Sequence, residues 1–279
     1  MSVLRVPVRG GELAVEVSDG STEPVLAIHG ISSQRRLWDW LRAEAPELSL
    51  IAPDLRGRAD SIGVEGPSSI AQHVEDMVAV LDQLGLAKAH VLGMSMGGFI
   101  AVELAVRHPE RVKSLVLVDG GPPMQVPPGL TREALPTMFA DRLARLDHVW
   151  ASVEELAAFF TTSTGPLLDP ADPVLLGYLA HDLDRDGRVR LSGSALLDDA
   201  AAVFLGEDRW GDLTVPVRLL AAQWSVGEGS KPAYADTLLA ELRPPTVRTV
   251  VVPGVDHATS IMSKTGAVAT AELLAEALA

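Results

Sequence analysis

Gly93-Met94-Ser95-Met96-Gly97 is the stretch on which the fold turns. Upstream of it, residues 89–92 form a short apolar run of strand character. Downstream, residues 96–107 carry a helix that His108-Pro109 closes. A G-x-S-x-G placed between a strand and a helix forms a sharp, strained turn known as a nucleophile elbow. The flanking glycines remove side chains that would clash in that turn. The serine oxygen then stands at the top of a sheet, at the N-terminus of a helix. A glycine-rich helix start would look similar as a bare pattern, and the strand and helix on the required sides decide against it.

Working outward, residues 4–8 and 12–17 read as two strands of a hairpin turned at Gly10-Gly11. Short apolar runs at 24–28 and 48–52 predict two buried strands, the first leading into His29-Gly30 and the second into Pro53-Asp54. Helices are predicted over 37–45 and over 70–84, where Val74, Met77, Leu81 and Leu84 fall on one face before Gly85. A strand follows at 112–118. Alternating strands and helices predict an α/β fold with a mostly parallel central sheet flanked by helices. After Asp119 the rhythm breaks in Gly120-Gly121-Pro122-Pro123. Helical patterns near 133–149, 153–160, 173–183 and 195–204 then precede renewed strands at 215–222 and 247–252. Between those two strands a helix is predicted near 233–242, and a last one runs to the C-terminus. Residues 1–121 and 210–279 are therefore read as a core, and 122–209 as a helical insertion.

Composition closes several routes. With 23 Lys+Arg against 37 Asp+Glu the formal net charge is −14, the wrong sign for nucleic acid or an anionic membrane surface. There is no cysteine, so disulfides, thiolate metal sites and cysteine nucleophiles are excluded. The longest apolar run, at 200–205, is far below the ~18 residues a membrane-spanning helix needs. Arg5, Pro7 and Arg9 interrupt the first apolar stretch, which predicts a cytoplasmic protein without a signal-peptide core.

A serine nucleophile needs a base. Of seven histidines, His257 is the best placed, in the Pro253-Gly254-Val255-Asp256-His257 loop after the last predicted strand and on the sheet edge of Ser95. His90 and His108 fall at the opposite edge; His73 lies in a helix, and His148 and His181 lie in the insertion. His29, before Gly30, suits loop shaping better than proton transfer. Asp256 is too constrained to orient its neighbour's ring and reads as a loop residue. Trp38 and Trp40 read as core.

His29-Gly30 after the third strand, Asp54-Leu55-Arg56-Gly57 after the fourth, the elbow at Ser95 and the C-terminal Gly254…His257 stand in an order that resembles the α/β-hydrolase superfamily across nearly the whole chain. The resemblance implies an oxyanion hole formed by the backbone N–H groups of Met96 and Ile31. It also implies that 122–209 is a lid inserted after the sixth strand and forming one wall of the substrate pocket. Two departures stand out. Ala59 occupies a position where such sequences usually carry glycine, which predicts a local loop change. Ser225 stands where the triad acid after the seventh strand is usual. Some members take the acid from the end of the sixth strand, where this chain has Asp119; Glu228 is the other candidate. Either preserves the order nucleophile, acid, base.

The expected function is a serine hydrolase cleaving a small or medium carboxylic ester, lactone or thioester, an esterase-like enzyme. The same triad would also serve C–C bond cleavage, amide hydrolysis, perhydrolysis or chain-releasing thioester chemistry. A ligand-binding protein on a hydrolase scaffold is the alternative of a different class. No cofactor and no metal is expected: no nucleotide loop or HExxH is present, and Asp182-Leu183-Asp184-Arg185-Asp186-Gly187 has Gly193 where a calcium loop needs its glutamate. Residues 133–209 carry 14 acidic residues and six arginines, more than half of the net charge. If that excess surrounds the pocket entrance, it favours a neutral or cationic small-molecule substrate.

Overall fold

The computed structural model describes residues 2–242 and 247–279. Among them, eight strands form one sheet in the order β1-β2-β4-β3-β5-β6-β7-β8. They are β1 (Ser2–Val8), β2 (Gly11–Val17), β3 (Val25–Ile28), β4 (Leu50–Pro53), β5 (Ala89–Met94), β6 (Val112–Val118), β7 (Val217–Ala222) and β8 (Val247–Val252). The hairpin β1-β2 is antiparallel and β2 joins β4 antiparallel; every other pairing is parallel. Central strands buried on both sides explain the apolar run of β3 and the predominantly apolar β5 and β6.

Side chains alternate between the two faces. On one face Leu26, Val91, Leu115, Leu117 and Leu219 meet the helices α2 (Ile70–Gln83) and α3 (Met96–Arg107), while α1 (Asp39–Glu44) lies against the other. There Ala27, Leu92, Val116, Val118 and Leu220 share a core with Leu37, Trp38 and Leu41, which places both Trp38 and Trp40 among core residues.

Between β6 and β7 the chain forms α4 (Leu135–Met138), α5 (Ala140–Asp147), α6 (Val153–Ser163), α7 (Pro173–Asp182) and α8 (Gly193–Leu205). Their apolar faces, including Leu156, Leu175, Leu179 and Leu196, belong to the same hydrophobic cluster as the sheet. The single helix predicted near 133–149 is broken. Pro136 fits only the first turn of a helix, and the chain bends again at Phe139 before α5 starts. The short α9 (Asp236–Glu241) and the long α10 (Lys264–Leu278) complete the chain. Among the described residues, no helix is long and apolar enough to cross a membrane.

Strand order reverses between β3 and β5: β4 lies on one side of β3, and β5 lies on the other. The loops leaving β3 and β5 therefore diverge and open a crevice at the C-terminal ends of the strands, the usual ligand position in a doubly wound sheet. Close backbone packing shapes it. A Cβ on Gly120 would lie 2.2 Å from the Ser95 carbonyl oxygen, and one on Gly97 would lie 2.0 Å from that of Ile28. Gly120→Ala is expected to cost about 3 kcal/mol in urea unfolding, whereas Gly63→Ala, where nothing lies within 4 Å, serves as a near-neutral comparison.

Candidate active site

Ser95 caps α3 with φ 54° and ψ −121°, in the left-handed region that L-residues avoid. Its N–H donates to Val118 O at 3.0 Å, and its carbonyl accepts from Gly98 N at 2.8 Å. The turn is thus held from both sides, by the end of β6 and by the first turn of α3. Asp119, directly after β6, also has positive φ, at 45°. Its N–H donates to Leu220 O at 2.7 Å, and its Oδ1 accepts from Ala222 N at 3.0 Å. Its Oδ2 accepts from His257 Nδ1 at 2.6 Å. The carboxylate is buried, whereas the imidazole is about one-third exposed. Glu228, the other candidate acid, is exposed on the surface.

Several contacts fix the loop that carries His257. The His257 N–H donates to Ser225 O, and Ser260 Oγ donates to His257 O. Asp256 is fully buried: Oδ1 accepts from Thr259 N and Oγ1, and Oδ2 accepts from Gly227 N at 2.8 Å. Its part is structural, as its adjacency to His257 predicts.

Ser95, Asp119 and His257 line one cavity of about 270 Å³ together with Ile31 and Met96. Met96 opens α3, so its N–H has no carbonyl within the helix to bond. No hydrogen bond joins the Ile31 N–H to another described residue. The Ile31 carbonyl, by contrast, is clamped by Arg58 through Nε at 3.1 Å and Nη2 at 2.8 Å. Arg58 in turn pairs with Asp199 of α8 at 2.6 Å, both being buried. His29 donates from Nδ1 to Gly30 O and accepts the Leu55 N–H at Nε2, and burial pushes its imidazole down to about 4. Both ring nitrogens are spent on loop shape. Ala59, where glycine is usual, adopts φ 41° and donates its N–H to Arg190 O, so the departure places a Cβ in a left-handed turn without opening it.

The opposite wall comes from the segment between β6 and β7. Phe139 and Phe204 meet edge-on at 6.0 Å, Phe160 and Tyr178 line the space beside them, and the Tyr178 hydroxyl donates to Ser33 Oγ at 3.0 Å. None of the acidic residues of 133–209 lines this cavity, but Arg142 does. Several of those acids are spent elsewhere. Asp199 holds Arg58, Asp198 pairs with Arg132, and Asp184 closes a turn by accepting from the Asp186 and Arg188 N–H groups. The lining of the cavity thus carries a cation from this segment and none of its acids. Sequence reasoning missed Arg142, Tyr178 and Tyr234, another lining residue. They lie far from the motifs, and no local pattern marks them.

Among the described residues, Asp54, Asp60 and His181 bring three potential metal-ligand atoms together. Arg35 and Arg190 are paired with these carboxylates, so the cluster already has its cations.

A model of the alpha/beta hydrolase fold matches residues 23–169, more than half of the chain. The chain belongs to the alpha/beta hydrolase fold family. Lipase LipV of Mycobacterium tuberculosis is 34% identical over 145 residues, which are 52% of this chain and 54% of that protein. RutD of Azorhizobium caulinodans is 27% identical over 226 residues, 80% of each chain. Among solved structures, E-2-(acetamidomethylene)succinate hydrolase superposes with a TM-score of 0.76 at 22% identity, covering 98% of both chains. That likeness is one of fold.

One buried acid of the family member's helical segment has a pH consequence. Burial pushes the Asp182 carboxyl up to about 6, and its Oδ2 has no hydrogen-bond partner. A carboxyl raised in the folded state contributes stability that is full below its unfolded pKa of ~3.9 and is lost as pH rises through about 6. Asp182→Asn is therefore expected to raise the melting temperature at pH 8 relative to the unsubstituted chain. The gain should vanish at pH 4, which thermal melts across that range would read directly.

Proposed function

We propose that this protein is a serine hydrolase that cleaves a small or medium carboxylic ester, lactone or thioester through an acyl-enzyme on Ser95. The observation that carries the reading is the 2.6 Å contact of His257 Nδ1 with the buried Asp119 carboxylate, on the same cavity as a serine held at positive φ. With Nδ1–H committed to Asp119, Nε2 is the basic nitrogen. It takes the proton of Ser95 Oγ as the oxygen attacks the carbonyl carbon, and the N–H groups of Ile31 and Met96 receive the oxyanion. Collapse breaks the bond to the leaving group, which takes the proton from His257. Water then loses a proton to Nε2, attacks the acyl carbon and releases the acid with Ser95 restored. Asp119 stabilises the imidazolium formed in each half and fixes the tautomer.

The helices between β6 and β7 act in this reading as a lid whose aromatic side chains form the acyl or alcohol pocket. Their enclosure suits a small molecule, and neither cofactor nor metal enters any step. The likeness to a lipase over half the chain agrees with ester chemistry. The enzyme is placed in the cytoplasm.

A fluorophosphonate probe should label the protein at Ser95, and Ser95→Ala should abolish both the adduct and turnover of 4-nitrophenyl butyrate. Labelling that survives Ser95→Ala refutes the assignment. Asp119→Asn should lower kcat about 10⁴-fold by allowing the wrong imidazole tautomer, while Glu228→Gln should leave it within twofold. The reverse result would move the acid to Glu228.

A further inference from the structure

Arg142 stands in the first turn of α5 and lines the cavity that holds Ser95 and His257. No ion pair or hydrogen bond joins its guanidinium to another described residue. Its one specific contact is with an aromatic ring: the guanidinium carbon lies 5.6 Å from the centroid of Phe139, itself part of the cavity wall. That contact steadies a cation without neutralising it. Asp141, its neighbour in sequence, is exposed, and Asp119 is committed to His257 and Ala222. Burial, with Arg145 nearby, lowers the pKa of the Arg142 guanidinium, although arginine stays charged.

The surroundings of the guanidinium are largely apolar. Phe139, Phe160, Phe204, Val203 and Met262 supply much of the lining. Arg142 is half-buried among them, so its guanidinium stays open to an anion that enters the cavity. Buried arginines around the site are held by the fold: Arg35 meets Asp54, Arg56 meets Asp76, Arg58 meets Asp199, and Arg145 donates to the Ser32 carbonyl at 3.2 Å. Arg142 has no such partner from the described residues, which leaves its guanidinium available to a ligand. A guanidinium matches a carboxylate with two parallel N–H···O bonds. It is also the only Lys or Arg among the described lining residues, which balances one negative charge rather than the two of a phosphate monoester.

From this lone cation in an apolar catalytic cavity, we propose that the substrate carries a carboxylate that Arg142 binds: a short ester, lactone or thioester bearing a second, unreacted acid group. The inference rests on the hydrolase reading for its chemistry and on Arg142 alone for its charge. The overall charge of −14 repels such a substrate at long range. Measurements therefore belong near 0.15 M salt, where charges beyond ~8 Å are screened and the contact at Arg142 persists.

Two matched ester pairs test it. Mono(4-nitrophenyl) glutarate against its methyl ester places the acid on the acyl side. Acetoxybenzoic acid against its methyl ester places it on the alcohol side. In at least one pair the acid form should show kcat/KM about tenfold or more above its neutral partner. Arg142→Gln should reduce that preference by about 10- to 100-fold, the range of a charge-assisted hydrogen bond, chiefly through KM, and Arg142→Lys should restore part of it. No preference in either pair, or a preference that Arg142→Gln leaves intact, overturns the proposal. Glutarate binding to Ser95→Ala protein by calorimetry gives a readout without turnover: binding that is lost on adding Arg142→Gln supports it, and equal binding with either residue refutes it. If neither the neutral nor the acid esters are cleaved, the hydrolase reading fails, and calorimetry still decides the role of Arg142.

Discussion

The positive φ of Ser95 is the constraint on which the other parts of the site depend. A turn that tight requires neighbouring backbone to pass closer than any side chain allows, and Gly97 and Gly120 supply that room against Ile28 and Ser95. The Ser95 N–H bonds the last carbonyl of β6, so the elbow and the end of β6 are one unit. Asp119 leaves that same strand end at positive φ, and its carboxylate is thereby aimed across β7 to His257. Backbone strain of this kind costs about 1–3 kcal/mol per residue and persists only where surrounding contacts over-determine it. Here those contacts are backbone hydrogen bonds among three adjacent strands.

Buried charge does for the loops what the sheet does for the elbow. Arg58, Asp199 and His73 lie under the surface and join the loop after β4, helix α8 and helix α2. Such groups add little net stability compared with apolar side chains of equal volume, but losing one partner strands the other at a cost of ~3–5 kcal/mol. Their effect is to make one arrangement far better than its neighbours. Arg58 transmits this to the Ile31 carbonyl and so anchors the loop after β3. The same logic isolates Arg142, a cation in this region that the fold itself leaves unpaired.

The strands and α3 were legible because their signals are local. Short β-branched and apolar stretches give β6 and β8 to the residue, and helical spacing with His108-Pro109 gives the end of α3. The placement of Ser95 and His257 on one sheet edge follows from strand direction alone. What lay beyond reach depends on tertiary contact. The break at Phe139 turns a predicted long helix into two short ones and swings its ring into the cavity. Net charge was read by segment, yet charge acts by position: no acid of 133–209 lines the cavity, and Arg142 of the same segment does.

The choice between Asp119 and Glu228 shows what a sequence gap means physically. Ser225 stands where an acid after β7 would be, and its absence alone leaves two replacements open. The spatial requirement is narrower: a carboxylate must reach His257 Nδ1 from a buried, rigid position. The end of β6 meets it because β6 and β7 pair in parallel, and the Ala222 N–H that closes β7 bonds Asp119 Oδ1. The loop after β7 keeps a part in the arrangement. Ser225 accepts the His257 N–H, and Gly227 is held by Asp256. With Asp119 as the proposed acid, two duties are separated that a single residue after β7 would combine. Asp119 bonds the ring at Nδ1, and the loop with Asp256 holds the backbone that carries it.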